Sequence, residues 1–551
     1  MIINPSIMPI SPGLLSRPIL AVSIIFCYNF LLMSSTMAQS TPSPGAILEQ
    51  TILPNKPISP PAPVFEIPET PEERTNSTVK IPIKKFVIEG NTLLLDDMLL
   101  ALVAPAEGKK LTFDALSQLV RLITSAYKAA GYPIAYAYLP PQKIIDGLVR
   151  IAVVEPRYDD IIMMGTSRLK TSQAILSVGV AAGEHIESVA LNRGLMLLNN
   201  TPGVKVTGVL TPGSKPQSST LQLKLKDEPV VSGDGSVTNH GSKYTGVTLL
   251  SENVTLQNPF GYGSSLSVNG LASTTGGLTS LGFSALSPNL RNGLRMGFDA
   301  TKVSYTLAGS FVVTNSSGGS RNIGVHLAYP LDLEPRLSTE LRFDLLSNSL
   351  TTSDSFSGEV DTTLSVARLT YSGLFLDDDS GTTSFKFALS GGNVNVPLSG
   401  GSANLSDTFG KLTFEIDQMQ LLQNGVTLGF GVSGQSASKN LDSSEKFYLG
   451  GPNSVMSEVA GAIGGDSGVL IKLKLSRAIE LQPLSGALVG SIVAQHGSAF
   501  TNQSSIKASA SGIGIALDYA FKNISVNANY AVPVDGSDDG GKFWTGLTHN
   551  F

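Results

Sequence analysis

The chain is 551 residues long, has a formal net charge of −5 and is 15% charged, against the roughly 25% usual for soluble domains. That balance points away from a nucleic-acid partner, and a mean hydropathy of +0.15 argues against an ordinary soluble domain of this size. The five histidines, His185, His240, His326, His496 and His549, lie too far apart in the chain for a metal pair, and no phosphate-binding glycine loop follows a strand. No catalytic, cofactor-binding or metal-binding constellation is read from the sequence, and none is expected.

Residues 1–38 read as a secretory signal: Arg17, then an apolar run over 19–33, then Thr36, Met37 and Ala38. The single cysteine, Cys27, follows Ile24, Ile25 and Phe26 rather than small residues, so it does not read as a lipid-attachment site. Residues 39–78 are crowded with proline and read as an extended linker. Within it, residues 45–53 (GAILEQTIL) have the composition of a two-turn helix, too short to stand without a host.

Two small α+β units follow, over 79–155 and 156–229. In the first, Asp96 and Asp97 are placed to cap a short helix. In the next helix Phe113, Leu116, Val120, Ile123 and Tyr127 step by three and four residues onto one face, and Lys128 and Gly131 end it. Two strands, 134–139 and 148–154, complete the unit. The second repeats the order, with strands at 161–164, 204–210 and 221–225 and helices at 170–178 and 189–198.

From 230 to 551 the pattern changes to apolar residues at every second position, restarted many times: Met296, Phe298, Ala300; Ile323, Val325, Leu327; Ile471, Leu473, Leu475; Ile513, Ile515, Leu517. Lys472, Lys474, Arg295 and Asp299 fall on the opposite face. A lipid-facing strand needs only about 9 to 11 residues, and hydrocarbon offers no partner for backbone amides, so such strands must close into a barrel. Seven short turns are predicted on one side, at 258–263, 288–293, 330–337, 376–382, 421–425, 482–486 and 521–524, which join sixteen antiparallel strands. The segments 310–319 and 436–465 are expected as long loops on the other side, 317–320 as turn glycines, and the acidic run Asp377, Asp378, Asp379 as solvated turn residues. The final alternation, with Trp544, Gly546, His549 and Phe551, resembles the closing-strand signal of bacterial outer-membrane barrels, His549 standing where a second aromatic or large apolar residue is usual.

Four stretches carry a specific resemblance. Residues 131–155 (GYPIAYAYLPPQKIIDGLVRIAVVE) resemble the end of a POTRA domain of the ShlB type, and 195–229 resemble the end of the second POTRA domain in the same family. NHGSKYTG and NPFGYG (239–246 and 258–263) resemble that family's first barrel hairpin. Together they resemble the outer-membrane transporters of two-partner secretion, the hemolysin activation/secretion proteins. The resemblance implies a sixteen-stranded transmembrane barrel in the outer membrane, preceded by two periplasmic POTRA domains that catch a large secreted exoprotein, and an N-terminal helix able to occupy the lumen.

It also implies an inward-folding sixth loop with Val-Arg-Gly-Tyr between a Gly-Gly and a Gly-Asp, the arginine pairing with an aspartate on a Phe-x-Asp-x-Gly strand. Here the frame is Gly450, Gly451 and Gly465, Asp466, but the motif reads Val455, Met456, Ser457, Glu458. The wall strand reads Val493, Ala494, Gln495, His496, Gly497, so arginine and acid are both gone, which leaves no buried charge without its mate. The loop tip is expected in the lumen, held by neutral contacts of Met456 and Ser457 with Gln495, with Glu458 and His496 as a candidate replacement pair. An insertase for other barrels, and a porin-like barrel without secretion activity, are the alternative functions at this stage.

Overall fold

The computed structural model describes residues 42–51, 65–66, 79–356, 358–377, 380–395, 408–480, 485–502, 507–534 and 540–551. The expected signal segment, Asp378 and Asp379 lie outside these. A short helix, α1 (Pro44–Leu48), continues as one tighter turn over Glu49–Thr51, and the Ser43 hydroxyl caps it by accepting from the Ala46 N–H.

The first α+β unit packs α2 (Asp96–Val103) and α3 (Phe113–Ala129) on a three-stranded sheet in which Leu148–Val154 lies between Lys85–Glu89 and Tyr136–Tyr138. Leu116, Val120, Ile123 and Tyr127 are buried as their spacing requires, whereas Phe113, in the first turn, is 39% exposed and off the core. Thr112 caps α3. Asp96 and Asp97 do not cap α2; they occupy its first turn, where the helix dipole favours a negative charge. Glu155 ties this unit together by accepting from Thr92 and Leu93 N–H groups and from the Tyr127 hydroxyl at 2.7 Å.

In the second unit α4 (Thr171–Val178) and α5 (Ser188–Asn199) cover a sheet of Arg157–Met164, Ser218–Asp227 and Val204–Pro212. The outer edge of Val204–Pro212 is covered by two residues of the linker, Phe65–Glu66, in parallel register with Gly208 and Val209.

From Val231 onward, sixteen antiparallel strands close into a barrel, the first (Val231–Thr238) pairing with the last (Lys542–Asn550). The expected turns at 258–263, 288–293, 421–425 and 521–524 fall at junctions of consecutive strands, the one at 330–337 narrows to Pro335 and Arg336, and those at 376–382 and 482–486 lie partly outside the described residues. The strands beyond them are longer than anticipated. Ser317–Glu334 runs 18 residues and Gly358–Leu376 runs 19, well past the roughly 9 to 11 needed to cross the hydrocarbon. Residues 317–320 are therefore ladder rather than turn, and the loop placed at 310–319 ends at Ser316.

Phe298, Val325, Leu345, Ile515 and Leu547 are exposed on the outer face of the barrel. The alternate positions carry charge pairs in the lumen: Asp299 with His326 at 3.0 Å, Lys474 with Asp518 at 3.5 Å, and Lys472 with Asp417 at 3.9 Å. An apolar outer belt around a wet interior is the arrangement a lipid bilayer demands of a barrel. No helix among the described residues is long and apolar enough to cross a membrane.

The second α+β unit sits against three of the short turns. Asn289 donates to the Leu197 carbonyl at 3.0 Å, and Arg295 reaches from the barrel to the Asn289 side chain (2.6 Å) and the Asn200 carbonyl (2.9 Å), so the C-terminal carbonyls of α5 are capped by the barrel. Arg193 donates to the carbonyls of Pro330 and Leu331. Gly293, at φ 86°, lets the turn close on Leu197, where a Cβ would stand 2.4 Å from a Leu197 methyl.

Candidate functional site

The lumen is occupied from two sides. One occupant is the long loop between Val426–Ala437 and Ser467–Ile479, which folds inward as a hairpin of Phe447–Leu449 with Ile463–Gly465. Gly450 and Gly451, both at positive φ (107° and 93°), turn the chain out of the first hairpin strand. The Gly451 N–H donates to the Glu458 carbonyl and the Glu458 N–H to the Val455 carbonyl, so 451–458 is a compact turn that presents Val455, Met456 and Ser457 to the wall.

The tip is held without charge. The Met456 N–H donates to Gln495 Oε1 at 2.8 Å, and the Trp544 indole N–H donates to the Met456 carbonyl at 2.8 Å. The Met456 side chain packs with Val493, Ala516, Ala531 and Trp544, while Val455 joins Leu449, Leu470, Ala499 and Ala510. The two positions that the family resemblance assigns to arginine and aspartate thus meet here as methionine and glutamine. Ser457 is buried but does not bond Gln495; its hydroxyl donates to the Ser511 carbonyl at 3.4 Å, because the strand carrying Ser511 and Gly512 runs directly beneath it. His496 falls on the opposite face of its strand from Gln495, as the two-residue period requires, with Nδ1 2.7 Å from the Ser511 hydroxyl. The wall beneath the loop is thinned by glycine: a Cβ on Gly497 would stand 2.6 Å from a Leu449 methyl, and one on Gly512 2.6 Å from the Ser457 hydroxyl.

The base of the same loop is held by charge. Lys411 on the wall lies 2.6 Å from Glu445 of the loop, both buried, and also donates to the Glu445 carbonyl at 3.0 Å. Gln435 donates to the carbonyls of Glu445 (2.9 Å) and Asp466 (3.0 Å), drawing both arms of the loop to one side chain. The fully buried Asp466 carboxylate accepts the N–H groups of Leu441 and Asn502, each at 2.9 Å, with Lys446 3.9 Å away. Gly465 permits this approach, since a Cβ there would meet the Phe500 backbone at 2.6 Å.

The second occupant is α1. Ile47 is fully buried against Leu249, Leu271, Leu278, Val303 and Tyr305 of the inner wall, and the Gln50 side chain accepts from the Ser242 N–H (3.2 Å) and the Thr245 hydroxyl (3.1 Å). Its other side rests on the inward loop: Ser43 Oγ lies 2.7 Å from the Tyr448 hydroxyl, and Gly45 sits so close to Ser443 that a Cβ would stand 1.9 Å from its carbonyl oxygen. Gly546 faces inward beside Asn527, His549 stacks on Phe551 at 6.3 Å on the outer side, and the Phe551 backbone pairs with Gly233 of the first strand.

The barrel thus carries two elements folded into its lumen and two α+β units before its first strand. Comparison with known proteins gives the family. Residues 217–517 match the family of haemolysin secretion/activation proteins ShlB/FhaC/HecB, and residues 81–156 match the ShlB-type POTRA domain. The chain belongs to this family.

Among curated relatives it is similar to the heme/hemopexin transporter protein HuxB of Haemophilus influenzae, strain 86-028NP, at 27% identity over 95% of this chain and 97% of that one. Among solved structures it resembles CdiB from Escherichia coli, with a TM-score of 0.71 at 18% identity over 88% of this chain and 93% of that one. It also resembles BamA from Haemophilus ducreyi lacking POTRA domains 1–3, with a TM-score of 0.51 at 15% identity over 86% of this chain and all of that one. The protein is an outer-membrane transporter of two-partner secretion, with its POTRA domains in the periplasm and a secreted exoprotein as its partner.

Sequence reading missed Lys411, Gln435, Glu445 and the role of Trp544. Trp544 is the only tryptophan and was visible, but only as part of a closing strand. Lys411 and Gln435 are inward positions of ordinary alternating strands, and nothing local marks what they face.

Proposed function

We propose that the POTRA domains receive one large exoprotein unfolded and that it crosses the outer membrane through this lumen once α1 and the inward loop have moved aside. The observation that carries this reading is the double occupancy of the lumen by elements that are each tied to the wall by a few contacts. A passive porin has no need of a helix on a linker inside its pore.

Capture is an edge-strand problem. An extended client offers unpaired amides, and so does the free edge of a sheet. In the second POTRA domain the edge of Val204–Pro212 is taken by Phe65–Glu66. In the first, Tyr136–Tyr138 is an edge strand of its sheet, with Tyr136 and Tyr138 exposed on one face and their rings 6.1 Å apart. We assign the first contact with the client to this edge, where the tyrosines stack on apolar side chains while the backbone pairs. What is carried over from HuxB is the transport role, not its cargo.

The test is deletion of the protein in its host with quantitative analysis of the medium and of the outer membrane. Loss of one large secreted protein, with other barrels at normal abundance, is the expected result. An unchanged medium ends the reading, and a general fall in outer-membrane proteins replaces it with an insertase.

A further inference from the structure

The turn Ser443–Glu445 faces two ways. Its Ser443 carbonyl accepts from the Tyr448 hydroxyl at 2.8 Å and lies against Gly45, and Tyr448 in turn meets Ser43, so this turn is the seat of α1. Two residues on, Glu445 turns away from the helix and toward the wall, where Lys411 meets its carboxylate at 2.6 Å and its carbonyl at 3.0 Å. The path from helix to wall is therefore unbroken: Ser43 and Gly45, then Ser443, then Glu445, then Lys411.

We propose that Lys411 is the positioning residue that holds α1 and the inward loop as one gate, its ammonium fixing the Ser443–Glu445 turn on which the helix sits, so that the helix stays in the lumen only while this ion pair stays closed.

Chemistry supports the assignment. Lys411 and Glu445 are both buried, and a buried pair is held by its own geometry rather than by net attraction through water: remove one member and the other is left as an uncompensated charge that pulls toward solvent. Gln435 satisfies the Glu445 carbonyl from the other side, so the site is polar, dry and closed. Glu49, one turn along the helix, is also within reach of the Lys411 charge; burial raises its carboxyl above the ordinary range and Lys411 pulls it back down. The same cation thus acts on the loop directly and on the helix across a short gap. The tip of the loop has no part in this circuit, since its contacts are with Gln495 and Trp544, on strands further round the barrel from Lys411.

The experiment uses the full-length protein in outer-membrane vesicles and planar bilayers without any client, so its failure would say nothing against export itself. Helix residence is read from a short thiol-reactive cross-link between Gln50→Cys and Thr245→Cys in a Cys27→Ser background, a helix-to-wall contact that involves no loop residue. Lys411→Met and Glu445→Gln should each lower the cross-link yield about tenfold or more and raise the steady conductance in parallel, as breaking one buried pair does. Lys411→Arg, which keeps the cation, should retain most of the yield. If Lys411→Met fails to insert as a heat-modifiable barrel, Glu445→Gln, on the loop, decides alone. Unchanged yield in a folded Lys411→Met or Glu445→Gln variant overturns the proposal. So does a Lys411→Arg variant that loses the cross-link as completely as Lys411→Met, because that is the signature of packing volume and not of charge.

Discussion

The two ends of the inward loop are fastened by opposite chemistries. At the base, Lys411, Glu445 and Asp466 are buried ionic groups whose partners are a mixture of side chains and backbone. At the tip, Met456 is held by an amide, an indole and three further apolar neighbours, with no ionised side chain in the contact. A buried charge tolerates no half-measures, because its desolvation is offset only while every partner is in place. Neutral contacts lose strength in small steps instead, about 1 kcal/mol per hydrogen bond. The base therefore behaves as a hinge that is either formed or not, and the tip as a contact that can be tuned.

The sharpest way to break the contrast is to move charge to the tip. Met456→Arg places an unpaired cation among Val493, Ala516, Ala531 and Trp544 and should undock the tip, at a cost of about 3 to 5 kcal/mol. Adding Gln495→Asp should recover most of that loss by supplying the acid that the position opposite lacks. Protease accessibility of the loop in membranes, measured for the two single variants and the double, gives the coupling directly. A double variant no better docked than Met456→Arg alone would mean that positions 456 and 495 do not face each other as their 2.8 Å hydrogen bond implies.

The next largest effect belongs to the base. Asp466→Ala leaves the Leu441 and Asn502 amides without their acceptor, and the Leu441 amide, which is buried, costs about 1 to 3 kcal/mol when orphaned. Cleavage at Lys439 and Lys446 by trypsin added from outside should speed up accordingly, while a cross-link between Met456→Cys and Gln495→Cys should still form, because the tip has its own fastening. Smaller again is Trp544→Phe, which keeps an aromatic ring beside Met456 while removing the indole N–H to the Met456 carbonyl and part of the packing around it. About 1 kcal/mol is expected, read as a modest rise in the opening frequency of single channels.

The barrel was legible from the sequence because a period of two is an unambiguous local signal, and because a strand that crosses hydrocarbon cannot leave an amide unpaired. The turns were legible for the same reason, each being a short break in that period. The tip of the loop was legible as a pair of substituted positions, Met456 and Gln495, 39 residues apart but framed by glycines on both sides. The base was not. Lys411 and Glu445 sit in unremarkable local contexts, and Lys411 resembles the lumen lysines Lys472 and Lys474, whose carboxylate partners are 3.9 and 3.5 Å away, each two strands along the barrel. What separates Lys411 from them is only that a loop folds back over it, a tertiary event with no periodicity. Ser457 differs on a finer scale: its hydroxyl reaches the Ser511 carbonyl rather than Gln495, a choice that alternation along the wall does not reveal. Phe113 failed for a complementary reason, since helical spacing marks a face but not where along the helix the core ends.

The gentlest test of the tip lies in the wall beneath it. Gly512 carries no side chain under Ser457, and an alanine Cβ would stand 2.6 Å from the Ser457 hydroxyl and 3.0 Å from its Cβ. Both contacts are too close, yet the hydroxyl can rotate and the turn at 451–458 can lift by a few tenths of an ångström without disturbing the ladder, as small overpacking commonly allows at about 1 kcal/mol. Gly512→Ala should therefore leave the barrel fully folded and shift the tip only slightly outward. It lengthens the Met456 to Gln495 hydrogen bond before it touches anything at the base, so trypsin cleavage at Lys446 should stay at the wild-type rate while the tip cross-link becomes slower. A variant that instead released the base would show that the loop moves as a rigid lever, with charge at one end answering to a methyl group at the other.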